Sequence, residues 1–349
     1  MNKIFNVLWF ILLLFISGVN AGAQKIEFEK TVHDFGLVPS ILGPVTYSFK
    51  FKNVGDKPLS IKSVSSSCGC TSPDWTKAPV QPGETGEVKA TYTSTNSLSS
   101  FNKRLTVHAN GSPSTVIISI KGVVTKDINA AFPDSIGKLK IKDRRDLVFP
   151  QILSSQTSHV QTVEVANLTG GDINLSFENV PEYLTVNSVP VVAPKTRAQI
   201  NVSVDGTKVK KFGYITDRFT VKSDDAKEQI NVSCVVAEDI KASENPPVCK
   251  VDSLVVDLGV RPEKENKISE SLEIRNTGAS DLVIKNFATD NASFVLGTKK
   301  ELKIKPGKTG TVKYSAKNLP KGDHSANIYL TSNDPEMPVL NFTVKLKIE

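Results

Sequence analysis

The chain has 349 residues and a formal net charge of +7, from 43 Lys and Arg against 36 Asp and Glu. Its length exceeds that of one small domain and suits three domains of about 110 residues, a common size. The one dense basic run, Lys138–Arg145, alternates with Leu139 and Ile141 as the solvent face of a strand does. No aromatic residues interleave with this run, so we expect no nucleic-acid binding.

Residues 1–23 have the pattern of a secretory signal peptide. A lone Lys is followed by the apolar run Ile4–Val19, and Ala21 and Ala23 supply the small residues that a signal peptidase recognises before Gln24. The rival interpretation is an uncleaved anchor, although the run is short of the roughly 20 residues that span a bilayer. We therefore predict an exported protein, in the periplasm, at the cell surface or secreted. We predict no transmembrane segment in the mature chain.

After the signal, the hydrophobic period is two residues rather than 3.6. Strict alternation over about five to eight residues marks strands with one buried face. The clearest alternating segments are Val45–Phe51, Thr115–Ile120, Gln161–Val165, Gln199–Val204 and Val339–Val344. Turn signals recur roughly every 8 to 12 residues, which is typical of an all-β sandwich.

One pattern occurs three times along the chain. An apolar residue precedes an Asn by 18 positions in the pairs Phe35 and Asn53, Phe149 and Asn167, and Leu258 and Asn276. Each Asn opens a turn, for which Asn and Gly are suited because they tolerate positive φ. A Pro turn follows at Gln81–Gly83, Ala193–Lys195 and Lys305–Gly307. The period of 109 to 114 residues indicates copies of one domain.

The repeats define the predicted domain boundaries. Short linkers rich in polar residues or Pro lie around residues 122–132 and 237–247. We therefore predict an all-β protein in which three tandem immunoglobulin-like β-sandwich domains, residues 24–125, 126–238 and 239–349, follow the N-terminal signal peptide.

The first repeat carries motifs that resemble a known family. These are Phe35-Gly36, Asn53–Gly55, Ser67–Thr71 with its Cys-Gly-Cys motif, and Gln81–Gly83. They resemble the bacterial domain-of-unknown-function 1573 family, which is similar to Hydin-like (ASH) and PapD-like immunoglobulin-type domains. The run Ser332–Pro338 resembles the same superfamily, whereas the middle repeat shares only the spacing. The resemblance implies a sandwich of seven or eight strands in an exported protein and supplies no catalytic residues.

Cys68 and Cys70 are the most specific candidates for a disulfide, a redox site or a metal site. In an oxidising compartment we favour a disulfide, for which Gly69 must bend the backbone to bring the two Cα atoms within range. Such a small ring would be strained and easily reduced, so a redox-active pair is one alternative. A soft-metal pair for copper or zinc, completed by His33 or His108, is another. Two thiolates are too few for a closed zinc site, so we predict no metal.

Cys234 and Cys249 form the second predicted disulfide, between the second and third repeats. Closing a loop of about 15 residues would stabilise the fold by roughly 3 kcal/mol in the chain-entropy model. The alternative is two buried free thiols. Four Cys allow three connectivities, and we favour this one because the others join distant repeats.

We find no catalytic motif and predict neither an enzyme nor a cofactor. The triplet Gly307–Thr309 mimics the end of a phosphate loop, but Leu302 stands where the first Gly is required. Our leading hypothesis is an exported, non-enzymatic structural or binding protein of the cell envelope. Its immunoglobulin-like modules would bind an envelope protein or glycan through edge strands or loops. The rivals are a thiol-redox or copper-handling protein built on Cys68 and Cys70, and a PapD-like chaperone.

Overall fold

The computed structural model describes residues 24–94, 98–142, 146–158, 160–224, 226–265, 267–297 and 300–349. The predicted signal peptide lies outside the described residues. The chain divides into two compact units, one ending at Asp127 and the other spanning Ile128–Glu349. Strands account for 59% of the structure and helices for 4%, which confirms the predicted all-β class.

The first unit, in its described part, consists of two four-stranded sheets. Its strands are β1 (Ile26–Phe28), β2 (Val32–Pro39), β3 (Val45–Asn53), β4 (Ile61–Ser66), β5 (Thr71–Trp75), β6 (Thr85–Tyr92), β7 (Ser100–Ala109) and β8 (Thr115–Thr125). One sheet has the order β1-β3-β6-β5 and the other the order β2-β8-β7-β4. A 3-10 turn, Ser40–Leu42, joins β2 to β3 and so carries the chain from one sheet to the other.

The second unit begins with a short helix, α1 (Ile128–Ala131), and continues as strands. The next strands are β9 (Asp134–Ile136), β10 (Leu139–Ile141), β11 (Asp146–Val148), β12 (Ile152–Leu153), β13 (Gln161–Asn167), β14 (Ile173–Asn174), β15 (Ser176–Glu178), β16 (Leu184–Asn187), β17 (Val191–Val192), β18 (Thr196–Val204), β19 (Gly213–Lys222) and β20 (Lys227–Ala237). The sheet orders are β16-β18-β13-β10-β9 and β11-β20-β19-β15, with β12 also on β20 and a separate pair β14-β17. In β10, Leu139 and Ile141 are buried as the alternation predicted, and residues 143–145 of the basic run lie outside the described residues.

The second unit ends with another pair of sheets. Their strands are β21 (Cys249–Lys250), β22 (Val255–Arg261), β23 (Ile268–Asn276), β24 (Leu282–Thr289), β25 (Phe294–Leu296), β26 (Leu302–Ile304), β27 (Thr309–Ala316), β28 (Gly322–Ser332) and β29 (Val339–Ile348). The orders are β21-β23-β27-β25 and β22-β29-β28-β24-β26. Two further 3-10 turns, Gly206–Lys208 and Glu263–Glu265, complete the elements.

Among the described residues, buried apolar side chains form three separate clusters, each between facing sheets. The first unit holds one cluster, with Phe49, Phe51 and Ile118 fully buried. The second unit holds two, one around Phe219 and one around Phe342. The alternation that predicted each strand therefore corresponds to an inward apolar face and an outward polar face.

In each unit an edge strand of a sheet pairs in parallel with its neighbour, which the alternation did not predict. Strand β2 runs parallel to β8, and β22 runs parallel to β29, each with a break in register halfway along. Gly36 and Gly259 lie at these breaks with φ of 61° and 66°. In each case the preceding Asp, Asp34 or Asp257, accepts a 2.8 Å hydrogen bond from the Gly N–H, which stabilises the bulge.

A fully buried Asn recurs at the end of a strand in each repeat. The amide of Asn276 donates to the carbonyls of Ser280 and Ile304, both at 2.8 Å, and its Oδ1 accepts from the Gly278 N–H at 3.0 Å. The same three bonds link Asn53 to Lys57, Val80 and Gly55, and Asn167 to Gly171, Val192 and Thr169. Each Asn thereby joins the turn that follows it to the strand before the Pro turn.

The predicted reason for these Asn residues was wrong. Asn53, Asn167 and Asn276 lie in strands and none of them has a positive φ, so the side-chain bonds explain their presence. Positive φ occurs instead at the third residue of each Pro turn. The values are 82° at Gly83, 58° at Lys195 and 73° at Gly307, which is the left-handed position of a type II turn.

A second side-chain bond has the same period and was not predicted. Oδ1 of Asn110, Asp224 and Asn333 accepts a hydrogen bond from the backbone N–H of Ser60, Asn174 and Val283, at 2.8, 3.2 and 2.7 Å respectively. These three residues are spaced like Asn53, Asn167 and Asn276, by 114 and 109 positions. The repeats therefore share two polar contacts as well as a hydrophobic pattern.

We predict that Asn276→Leu destabilises the second unit by about 3 kcal/mol, because it leaves the buried Ile304 carbonyl and the part-buried Ser280 carbonyl and Gly278 N–H without their partner. Urea unfolding of the whole chain measures the loss. Asn341→Leu is the matched control, since Asn341 is exposed on β29, and we expect it to change stability by less than about 0.5 kcal/mol. Equal effects of the two substitutions would contradict the role assigned to the buried amide.

We predict that Lys195→Gly stabilises the protein by about 0.5–1 kcal/mol, because Gly adopts a left-handed φ without the steric cost that an L side chain has. Thermal unfolding tests this. Lys195 also donates to the Leu168 carbonyl, so Lys195→Ala serves as the control. It removes that bond but keeps the unfavourable φ, and a rise in its melting temperature equal to that of the Gly variant would count against the explanation.

Candidate functional site

The segment Ser67–Cys70 carries the chain from β4 in one sheet of the first unit to β5 in the other. It therefore lies at one end of this sandwich. Cys68 and Cys70 are joined by a disulfide with a Cα–Cα distance of 5.4 Å, inside the usual range of about 4.4–6.8 Å. Both cysteines are half-buried and Gly69 between them is exposed. The bridge is thus at the surface of the unit.

Hydrogen bonds that involve no sulfur hold this segment in place. The Ser67 N–H donates to the Arg104 carbonyl at 2.9 Å, and the Arg104 N–H donates back to Ser67 Oγ at 3.2 Å. The Cys70 carbonyl accepts from the Thr93 N–H at 3.0 Å. Ser66 Oγ donates to the Cys68 carbonyl at 2.7 Å. These contacts tie the segment to both sheets.

The two sulfur atoms have different surroundings. Cys68 Sγ lies 3.6 Å from Oγ1 of Thr71, a residue that is only 3% exposed. Cys70 packs against the hydrophobic cluster of the unit. Gly69 is exposed, and a Cβ added there would meet no atom within 4 Å apart from its chain neighbours. The segment is therefore exposed at its middle residue and half-buried at the two cysteines.

The bridge stabilises the fold little. A disulfide acts chiefly by restricting the unfolded chain, and the restriction grows with the size of the closed loop. For a loop of three residues the chain-entropy relation yields only about 1.5 kcal/mol, against about 3 kcal/mol for 15 residues. The hydrogen bonds to Arg104 and Thr93 hold the segment in addition to the bridge.

The predicted bridge between Cys234 and Cys249 is absent, because both thiols are free and buried. Cys234 on β20 belongs to the cluster around Phe219, whereas Cys249 on β21 belongs to the cluster around Phe342. Burial raises the pKa of the Cys234 thiol to about 11. Burial, and then the nearby Asp334, raises the pKa of the Cys249 thiol to about 12. Both therefore remain protonated at neutral pH and are poor nucleophiles.

The histidines considered as ligands have other partners. His33 on β2 stacks on Tyr47 with ring centroids 3.6 Å apart. His108 Nδ1 on β7 lies 3.1 Å from Thr115 Oγ1. In the described part of the chain, no three His, Cys, Asp or Glu side chains form a group that could hold a metal ion.

The second unit carries a polar groove of about 650 Å³ that no sequence motif indicated. Asp146, Arg218 and Asn231 line it from the sheet of β11, β20 and β19, and Asp290, which follows β24, closes one end. Asn231 Nδ2 donates to Asp146 Oδ1 at 2.7 Å. Tyr214, also in the groove, stacks on Tyr329 with ring centroids 4.5 Å apart. These residues come from distant parts of the sequence, so no local pattern could reveal the groove.

A smaller groove of about 440 Å³ lies over the register break of β22. Asp257 and Val260 line it on one side, and Asp323, His324 and Lys345 line it on the other. His324 Nε2 lies 2.7 Å from the Pro320 carbonyl, so the ring is already held by its own strand connection. Both grooves are open to solvent, and the larger presents mainly polar surface whereas the smaller presents mainly apolar surface.

A helix able to cross a bilayer, being both long and apolar, is not found among the residues that the structure describes.

Comparison with known families matches two parts of the chain. Residues 26–124 match the family described as protein of unknown function (DUF1573). Residues 247–347 match the HYDIN/CFA65/VesB-like, Ig-like domain. No curated protein matches the chain.

Several solved structures are similar over part or most of the chain. A protein of unknown function from Porphyromonas gingivalis W83 aligns over 60% of this chain and 100% of its own, with 20% identity and a TM-score of 0.49. The ASH/PapD-like domain of human CEP192 aligns over 31% of this chain and 90% of its own, with 11% identity and a TM-score of 0.25. The endo-fucoidan hydrolase MfFcnA4 of glycoside hydrolase family 107 aligns over 93% of this chain, with 11% identity and a TM-score of 0.25. The chain spans 44% of that hydrolase.

The two family matches fall on the repeats whose motifs carried the predicted resemblance, which is thereby confirmed. Residues 26–124 are thus similar to the DUF1573 family, and residues 247–347 are similar to immunoglobulin-like domains of the HYDIN/CFA65/VesB type.

Proposed function

We propose that the protein is an exported, non-enzymatic binding protein of the cell envelope. In this proposal residues 1–23 are a cleaved signal peptide, and three tandem immunoglobulin-like sandwiches, residues 24–125, 126–238 and 239–349, form the mature chain. Loops at the ends of the sandwiches hold an envelope protein. A glycan partner is the alternative that the experiment below distinguishes.

The observation that carries the proposal is the contrast between a repeated interior and unlike loops. Asn53, Asn167 and Asn276 make the same three side-chain bonds in their own surroundings. In each repeat, one of the connections that pass from one sheet to the other lies at an equivalent place in the strand order. These crossing loops are Ser67–Cys70 after β4, Asn179–Tyr183 after β15, and Asp290–Ser293 after β24.

The crossing loops share neither sequence nor contacts. The first contains the disulfide. The second ends in Tyr183, whose hydroxyl donates to Asp217 Oδ2 at 3.2 Å. The third begins with Asp290, which accepts a 2.7 Å bond from Asn327 Nδ2. A rigid scaffold that carries variable loops is the arrangement by which immunoglobulin-like sandwiches bind partners.

Charge supports an envelope location only weakly. The formal net charge of +7 would attract the chain to an anionic surface, and this attraction falls as salt screens it. We therefore assign partner recognition to the loops and not to the overall charge.

We predict that the protein is exported and that its mature form begins at Gln24. Ala23→Asp should leave the precursor uncleaved, because a signal peptidase requires a small residue next to the cut. Gly22→Gln is the control, since the peptidase reads the positions on either side of it, and it should be processed normally. The mass of the protein in the exported fraction checks both variants. An unprocessed wild-type chain would exclude the cleaved signal.

We predict that partner contact is confined to the crossing loops. Benzoylphenylalanine in place of the exposed Ser67 or Ser293 should form photo-adducts of discrete mass in envelope extracts, and excess unlabelled protein should compete them away. The probe in place of Lys50 or Glu273, which are exposed on the strand faces of β3 and β23, is the matched control.

The adducts also identify the class of partner. Digestion by protease supports a protein, and digestion by glycosidases alone identifies a glycan. Absence of adducts at both loop positions, or equal labelling at loop and strand-face positions, would contradict the proposal.

A further inference from the structure

We propose that the Cys68–Cys70 disulfide is a reversible two-electron site that exchanges with a protein dithiol. This inference rests on the first unit alone and does not depend on the proposed binding function. A disulfide with a purely structural role closes a long loop or staples segments that would otherwise separate. Here the bridge joins residues two positions apart in a segment that hydrogen bonds already hold.

The bridge is accessible from solution. Thiol–disulfide exchange requires a thiolate to reach one of the two sulfur atoms. Both cysteines are half-buried rather than enclosed, and Gly69 is exposed with no atom within 4 Å of where a Cβ would lie. The site therefore presents its reactive bond to an incoming protein.

The segment keeps its geometry when the bridge opens. The bonds from Ser67 to Arg104, from Thr93 to Cys70 and from Ser66 to Cys68 involve backbone and hydroxyl groups only. After reduction the two thiols stay on neighbouring Cα atoms 5.4 Å apart. The bridge can therefore re-form without a search through loop conformations.

The surroundings of the two sulfur atoms determine the direction of the exchange, that is, which sulfur the partner attacks and which one leaves. The partner's thiolate attacks Cys70 Sγ, a bond forms between them, and the Cys68–Cys70 bond breaks. Cys68 leaves as a thiolate, to which the Thr71 hydroxyl 3.6 Å away donates, and then takes a proton from water. The partner's second thiolate displaces Cys70, which is protonated in turn. The site gains two electrons and two protons, and the partner becomes a disulfide.

The other two cysteines supply an internal reference. Cys234 and Cys249 are buried and free, so a thiol reagent that labels Cys68 and Cys70 after reduction leaves them unlabelled while the chain stays folded.

The experiment uses the whole mature protein and equimolar reduced thioredoxin, a protein dithiol. After acid quenching and alkylation, peptide mass spectrometry measures the reduced fraction of the bridge. We expect more than half to be reduced, with the near-ultraviolet circular dichroism spectrum unchanged. A bridge that stays oxidised, or a chain that unfolds when the bridge is reduced, would overturn the proposal.

Variants test the direction of the exchange. Thr71→Val should slow reduction about fivefold, the effect of one lost hydrogen bond to the leaving thiolate, whereas Thr71→Ser keeps the hydroxyl and should restore the rate. Thioredoxin that lacks its second thiol should form a mixed disulfide with the oxidised wild-type chain at Cys70, and alkylation of the released Cys68 thiol followed by peptide mass spectrometry locates it. A Thr71→Val rate equal to wild type, or a mixed disulfide at Cys68 instead of Cys70, would show that the assigned direction is wrong.

Discussion

A buried amide must have hydrogen-bond partners, and this requirement organises each repeat of the protein. Asn53, Asn167 and Asn276 have no exposed surface, so water cannot satisfy their polar atoms. The partners that all three share are backbone groups, in the turn after the strand and in the segment before the Pro turn. A slip of one residue would turn the Asn to the other face of the sheet and leave those groups unpaired. The amide therefore sets the register of strands that alternation alone would leave free to slide.

A repeated interior leaves the connections at the ends free to differ. The crossing loops begin and end on strands whose positions the core has already set, so their own sequences contribute little to the fold. In the first unit this freedom accommodates a disulfide between residues two apart, anchored by Arg104 and Thr93. In the second unit it accommodates Tyr183, which donates one side-chain hydrogen bond to Asp217, and Asp290, which accepts two from Asn327.

The separation of the hydrophobic clusters explains why two cysteines close in sequence remain apart. Cys234 and Cys249 each contribute to a different cluster. A bridge would require at least one of them to leave its apolar surroundings, and its neighbours would lose packing contacts across the vacated space. The backbone N–H of Cys249 also donates to the buried Asp334 at 2.7 Å, which fixes β21 against the turn between β28 and β29. The stabilisation from burying the two cysteines in their clusters thus outweighs the entropic stabilisation that a short cross-link would provide.

The sequence by itself determined what depends on near neighbours. Alternation placed the strands, the spacing of Asn53, Asn167 and Asn276 revealed the repeat, and the motif at Ser67–Thr71 marked the family of the first domain. Only the tertiary structure decided which groups meet across long stretches of chain. It placed β2 parallel to β8. It also placed Asp146 and Asp290 in the lining of one groove. It also placed Cys234 and Cys249 in different hydrophobic clusters. The physical reason is that local patterns record which face of a strand is buried, whereas the partner of a buried group is chosen by packing between segments that are distant in sequence.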